Sequence, residues 1–393
     1  LQRGEDAPEP LTRDRGDGFD YAPVWSPDGK SVYFLRWQDD KLTSVRRVSA
    51  RGGKSTALEH PRGQYVELAI DRDGQTLALR KLAGNALLHP DWGVKPGLYL
   101  LDSEGGELRF VSQRGRHPHF GPDSTRLYAQ ERAETATGRG SSTAKTRLIS
   151  MQRDGQDVRA LAEADFATRI MLSPTGRHIA FENAPHLHLA EFPPSGKPLV
   201  LDAAEPAFPV VRVSETGGAF PGWNQDGSAV HWSTGPNFKQ VAVDTAMQPE
   251  FSPADPSRAL EVSVEHAAPE SRLALTGARI ATMDENRRVI ENGTLLVQGN
   301  RIQAVGDADL AIPAGYTRVD LAGSTVVPGF VDAHAHGPYG HEDIIPQKNW
   351  NLLAHLALGV TTLHDPSSRA AEVFAAAEYA RAGRILGPRI FST

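Results

Sequence analysis

At 393 residues with a formal net charge of −6, the chain has room for two or three domains, each with its own core. The modest charge, the lack of a basic run and the lack of a long apolar stretch exclude nucleic acid, an anionic membrane surface and a membrane span from the expected partners. Zero cysteines exclude disulfides and thiolate zinc sites, so any metal must be held by histidine and carboxylate.

No charged-then-apolar leader opens the chain, and Leu1 is not an initiator methionine, so residues upstream, a removed signal among them, are expected. The first two-thirds repeats itself. Residues 23–29 (PVWSPDG), 68–74, 118–124, 171–176 and 221–227 each place an apolar residue before a tight turn, at spacings of about 50 residues. Alternating segments follow the turns, as at 31–35, 76–79, 126–129 and 178–181, which is a hairpin signature. The period suits four-stranded blades and predicts an all-β propeller over residues 1–248. Trp25 and Trp223 precede blade turns and read as packing, while His186 and His188 alternate along a blade segment and read as blade or surface residues. Residues 133–145, rich in Thr, Gly and Ser, read as a loop between blade strands.

Prolines 249, 253, 256 and 269 mark a linker over 249–270. Short alternating segments at 273–276, 279–282, 293–297 and 301–306, with turns at 284–286 and at Gly299-Asn300, predict a partial β-sandwich over 271–327.

Residues 325–331 are apolar and β-branched around Pro328-Gly329, the pattern of a strand buried on both faces in a parallel α/β barrel. Asp332, Ala333, His334, Ala335 and His336 follow. Alternate residues of a strand face one side, so the imidazoles of His334 and His336 can converge on one cation, at the strand end where such barrels keep reactive groups. A helix over 349–358, with a stripe of Trp350, Leu353, Ala354 and Ala357, ends at Gly359. A second strand runs from Gly359 into His364-Asp365, and a helix from Arg369 to Ala382 completes a β-α-β-α-β order. Residues 328–393 thus predict the first strands and helices of a (β/α)8 TIM-like barrel, which needs about 250 residues to close.

Residues 328–337 (PGFVDAHAHG), 343–347 with Asn349-Trp350, and 359–367 (GVTTLHDPS) resemble the catalytic barrel of the metal-dependent amidohydrolase superfamily. The subgroup they resemble carries a TolB-like propeller at its N-terminus, and residues 25–29 (WSPDG) keep the TolB-type turn in full. Residues 387–393 resemble that family's third barrel strand. The resemblance implies hydrolysis of C–N bonds in a small amide or peptide-like substrate by metal-activated water, with one or two divalent ions, zinc first. It implies further ligands from later strands (a lysine, two histidines and an aspartate general base), sandwich strands returning from the far end of the barrel, and more blades than five. A periplasmic or secreted location and a second chain or segment completing the barrel are expected on the same ground, with no activity in this chain alone.

Around the histidine pair, Asp332 serves either as an acceptor for a ligand imidazole N–H or in structural hydrogen bonding. His364 and Asp365 sit at a strand end, where they line a substrate pocket or, for Asp365, cap the next helix. His341, Glu342 and Asp343 form a polar loop that lies over the barrel mouth in the resembling family, or simply a solvated loop. A rival reading takes the propeller, the larger part of the chain, as a module that binds a protein or peptide in or near its channel.

Overall fold

The computed structural model describes residues 8–14, 18–83, 95–134, 144–193, 195–253 and 257–393. The chain divides into two compact units, Leu1–Val262 and Ser263–Thr393.

The first unit is built on one repeated turn. In the first repeat Gly29 N–H donates to the Ser26 carbonyl (2.9 Å) and Ser26 N–H to the Ser31 carbonyl (2.9 Å), closing a hairpin between Phe19–Trp25 and Ser31–Gln38. Gly74, Gly176 and Gly227 repeat the first of these bonds to Asp71, Ser173 and Asn224. All four glycines hold φ between +67° and +73°, the left-handed region that glycine enters without a Cβ penalty. In the third repeat Ser124 takes that position at φ +55°, so the turn survives where the sequence motif decays.

Each turn launches an antiparallel sheet. The first runs Phe19–Trp25, Ser31–Gln38, Leu42–Ser49, Thr56–Ala57; the second Tyr65–Ile70, Thr76–Lys81, Gly97–Asp102, Arg109–Ser112. The third runs Arg116–Phe120, Arg126–Glu134, Ala144–Gln152, Arg159–Asp165; the fourth Ala167–Leu172, His178–Asn183, His186–Glu191, Val210–Arg212. The fifth is Ala219–Trp223, Ala229–Thr234, Asn237–Ala242, Ser257–Ala259. These are propeller blades, and their cores lie between neighbours. Leu35 and Val45 pack with Tyr65 and Leu77, Leu98 with Leu127 and Ile149, Leu148 with Ile179 and Phe181, and Leu187 with Val230 and Trp232. Polar ties cross the same joints: the Tyr21 hydroxyl donates to the Tyr65 carbonyl (2.6 Å), and His117 N–H to Glu67 (2.7 Å).

Three details depart from the sequence reading. Ser257–Ala259 pairs with residues 237–239, so the stretch read as linker gives the fifth blade its last strand. Leu199–Leu201, from the fourth repeat, pairs in parallel with the last strand of the third sheet. Trp25 is 46% exposed rather than packed, whereas Trp223 packs beside the Val230 and Trp232 core. Of the segment read as a loop, residues 135–143 lie outside the described residues, and its two ends belong to paired strands.

The second unit opens with a single mixed sheet over the stretch expected as a partial sandwich. Its order is Arg301–Asp307, Val289–Gln298, Arg272–Ala281, Thr317–Asp320, with Thr325–Val326 also pairing along Arg272–Ala281. The segments 273–276 and 279–282 are one strand, bent by register shifts around Gly277 at φ +78°. Its core is Ala278, Ile280, Ile290 and Leu295.

A three-stranded parallel sheet follows, in the order Phe330–Asp332, Val360–Asp365, Arg389–Ser392, joined through helices Trp350–Ala357 and Ala370–Arg381. The β-α-β-α-β order is therefore present. The expected burial is not: Phe330 and Val331 are 59% and 64% exposed. A strand is covered on both faces only when neighbouring strands and helices flank it, and Phe330–Asp332 pairs on one side alone. Residues 325–331 are also not one strand, because Thr325–Val326 joins the mixed sheet and Pro328-Gly329 divides it from Phe330–Asp332.

Candidate metal site at the end of the parallel sheet

The sheet's carboxyl end gathers His334, His336, His364 and Asp365, because parallel pairing aligns Asp332 with Leu363 and Asp365 with Ser392. His334 and His336 lie just past the strand in an exposed turn, not on its alternating face. Their rings nevertheless come together, with centroids 5.1 Å apart and planes at 51°.

The turn is held from several sides. Ala335 N–H donates to the His364 carbonyl (2.9 Å) and Gly337 N–H to Asp365 Oδ2 (3.0 Å). His364 Nδ1 lies 3.3 Å from the Ala333 carbonyl. A carbonyl only accepts, so that nitrogen carries the proton, and in the neutral ring Nε2 keeps the lone pair. Ser367 Oγ lies 3.2 Å from His336 Nδ1. Asn349 caps the first helix, its Oδ1 accepting from Asn351 N–H (3.0 Å) and Leu352 N–H (3.3 Å), while its Nδ2 donates to the Pro338 carbonyl (2.8 Å).

Asp332 faces elsewhere than a ligand ring: its Oδ1 accepts the backbone N–H of His334 (3.1 Å), and its Oδ2 lies 3.9 Å from His355 Nε2. Asp365 does not cap the next helix, whose N-cap residue is Arg369; it ties together the turns on either side of the strand end. It is fully buried, and its carboxylate accepts from Ser367 N–H (2.9 Å), Ser368 N–H (2.9 Å), the Ser368 hydroxyl (2.7 Å) and Gly337 N–H. Burial alone pushes this carboxyl up, but those hydrogen bonds outweigh it and hold it at about 2. Burial and the Asp365 carboxylate together push the Tyr339 phenol well above its ordinary range.

On the neighbouring loop, His341 and Ile344 form an isolated bridge, and Arg369 lies 4.0 Å from Glu342 and 3.0 Å from Glu372. Burial, with Glu342 and Asp343 nearby, raises the Glu372 carboxyl against the opposing pull of Arg369. His186 and His188 belong to a blade strand, with His188 stacked on Phe181 at 5.1 Å.

As a metal site, the pair offers two imidazole donors of the four that a tetrahedral ion takes. Among the described residues no group of three or more His, Asp or Glu side chains is placed to hold an ion. Sequence reasoning missed His355, Ser367 and the cap Asn349, whose contacts arise only when the helices fold back on the sheet. Asn349 carried the one available signal, a capping residue type at the start of a helical stripe.

No family model matches the chain. A 5-methylthioadenosine/S-adenosylhomocysteine deaminase of Nitratidesulfovibrio vulgaris is 36% identical over 88 residues, covering 21% of this chain and 20% of the relative. An imidazolonepropionase of Thermoplasma acidophilum is 38% identical over 79 residues, covering 20% of this chain and 18% of the relative. Among solved structures, TolB from Acinetobacter baumannii is similar over 58% of this chain and 52% of that one, with 13% identity and a TM-score of 0.41. The chain spans about a fifth of the length of the curated relatives it matches, and over that stretch it is related to hydrolases. Among the described residues no helix is long and apolar enough to cross a membrane.

Proposed function

We propose that the chain carries the opening part of a metal-dependent hydrolase acting on C–N bonds, with His334 and His336 as two ligands to a divalent cation, zinc before others. The observation that carries this reading is the convergence of the two imidazoles, 5.1 Å apart, at the carboxyl end of a parallel strand. A bound divalent cation supplies an acidified water and polarises the scissile carbonyl, and a second ion extends that effect. This chain's own part is to hold two donors in place, and to present His364, with Nδ1 engaged by Ala333, toward a small amide or peptide-like substrate. The general base and remaining ligands belong to later barrel strands.

The exposed apolar side chains of Phe330, Val331, Leu358, Leu386 and Phe391 support a further segment or second chain that completes the barrel and covers them. A periplasmic or secreted location belongs to the same proposal, and cell fractionation tests it. The activity is tested by assaying amide and cyclic-amide turnover by the purified chain against a His334→Ala control. The proposal expects none above the control until the remaining strands are supplied. Turnover by the chain alone, lost in His334→Ala, would overturn the division of the site. If peptide binding outlasts removal of the second unit while metal retention is absent, the propeller-module reading replaces it.

A further inference from the structure

We infer that Asp365 and Ser367 are positioning residues that fix the place and the ring orientation of His336; this rests on the reading of His336 as a ligand. The Asp365 carboxylate is fully buried and does two jobs. Oδ1 accepts the backbone N–H groups of Ser367 and Ser368, both at 2.9 Å, and so folds the 367–368 turn. Oδ2 accepts the Ser368 hydroxyl at 2.7 Å and also Gly337 N–H at 3.0 Å, beside His336 in the chain. Ser367, placed by the first job, sets its hydroxyl 3.2 Å from Nδ1 of the His336 that the second job places. One buried carboxylate therefore locates both a ring and the hydroxyl that orients it.

Gly337 fits this arrangement sterically. A Cβ there would stand 2.7 Å from the Tyr339 ring and 2.8 Å from Tyr339 N, so the approach to Asp365 requires the missing side chain. When Nδ1–H donates to the Ser367 hydroxyl, Nε2 keeps the lone pair that ligates, and groups that orient a ligand ring in this way are worth about 10–100-fold in metal affinity.

The experiment is long-range proton–nitrogen NMR on the full chain with labelled histidine, free of metal, at a pH well above the ordinary imidazole value. A His336→Gln spectrum assigns the signal. Ser367→Ala removes the ring contact. Asp365→Asn sets an N–H group against Gly337 N–H while leaving an oxygen for the 367–368 turn. Ser392→Ala removes only the 2.7 Å bond to the Asp365 carbonyl and is the control. The expected result is a predominantly Nδ1–H His336, donating to the Ser367 hydroxyl, in the parent and in Ser392→Ala, and a shift toward Nε2–H in Ser367→Ala and Asp365→Asn. If Asp365→Asn fails to fold, Ser367→Ala at an exposed position decides alone. A parent pattern retained in Ser367→Ala, or no tautomer preference in the parent, overturns the inference; a purely structural role would move the thermal midpoint and leave the tautomer alone. Because no metal enters, a failure of zinc binding sinks the proposed function without touching this result.

Discussion

The two units bury their strands by different rules. In the propeller each sheet is finished within about 50 residues and packs on its neighbour in the chain, so Leu35, Leu77, Leu127, Leu148 and Phe181 are all fully buried. In the parallel sheet the partners of a strand come from far along the chain, and the three strands in hand leave Phe330, Val331 and Phe391 at the surface. Local closure buries the propeller's cores between consecutive blades. The parallel sheet has the connectivity of its fold without the burial that normally accompanies it, and that is where the candidate site sits.

The largest effect that sharpens this contrast lies in the propeller. Glu67 and Arg80 form a buried bidentate pair at 2.8 Å, and Glu67 also accepts His117 N–H from the next blade. Burial pushes the Glu67 carboxyl up, and Arg80 and His117 outweigh it and hold it below the usual range. Arg80→Met strands that charge at a blade joint and is expected to cost about 3–5 kcal/mol in urea denaturation of the first unit. A loss under about 1 kcal/mol would show that the joint does not govern propeller stability.

Acid should act on the propeller next. Burial lowers His119 and His188 to about 4 each. His119 Nδ1 lies 3.1 Å from the His117 carbonyl, so it carries the proton, and Nε2 accepts Leu172 N–H from the fourth blade at 3.3 Å. Both groups fall below the ordinary value near 6.5 in the folded state, so between roughly pH 6.5 and 4 the unfolded chain binds more protons. Their stabilisation is complete above the upper limit and is lost as pH falls through that window, by about 2–3 kcal/mol per group. Denaturation across this range checks it, and His188→Phe, which keeps the stack on Phe181, should flatten the curve.

The same strategy applied to the second unit predicts smaller changes. Asn349→Ala removes a cap and the tie to Pro338 and should cost about 1 kcal/mol, with the loss confined to amide exchange around the helix and the histidine turn. The smallest change tests the surface of the propeller. Arg114 pairs with Glu131 at 2.7 Å but is 59% exposed, so Arg114→Ala should shift stability by about 0.5 kcal/mol or less.

Much of the propeller was legible because its signals are local: a glycine or serine with positive φ, and an alternating strand close behind it. The strand exchanged at Leu199–Leu201 and the last strand of the fifth blade were not, since both pair through contacts that no short pattern encodes. The segments 273–276 and 279–282 were read as two strands because one strand bends at Gly277. At the site, the convergence of His334 and His336 was legible from their spacing, although a turn and not the alternation of a strand brings them together. The helix stripe went wrong as well: Leu352 is the buried residue and Trp350 is 67% exposed. Asp365 offered two readings, a pocket residue and a helix cap, and its buried carboxylate instead holds the turns at Gly337 and at Ser367-Ser368.

The account stands most directly on zinc retention. Equilibrium dialysis of the purified chain against the His334→Ala/His336→Ala double variant, with matched circular dichroism, measures it. The account predicts weak retention by the parent, because two donors are only part of a site, and its loss in the double variant. Equal retention by the two proteins would contradict the assignment of His334 and His336 as ligands.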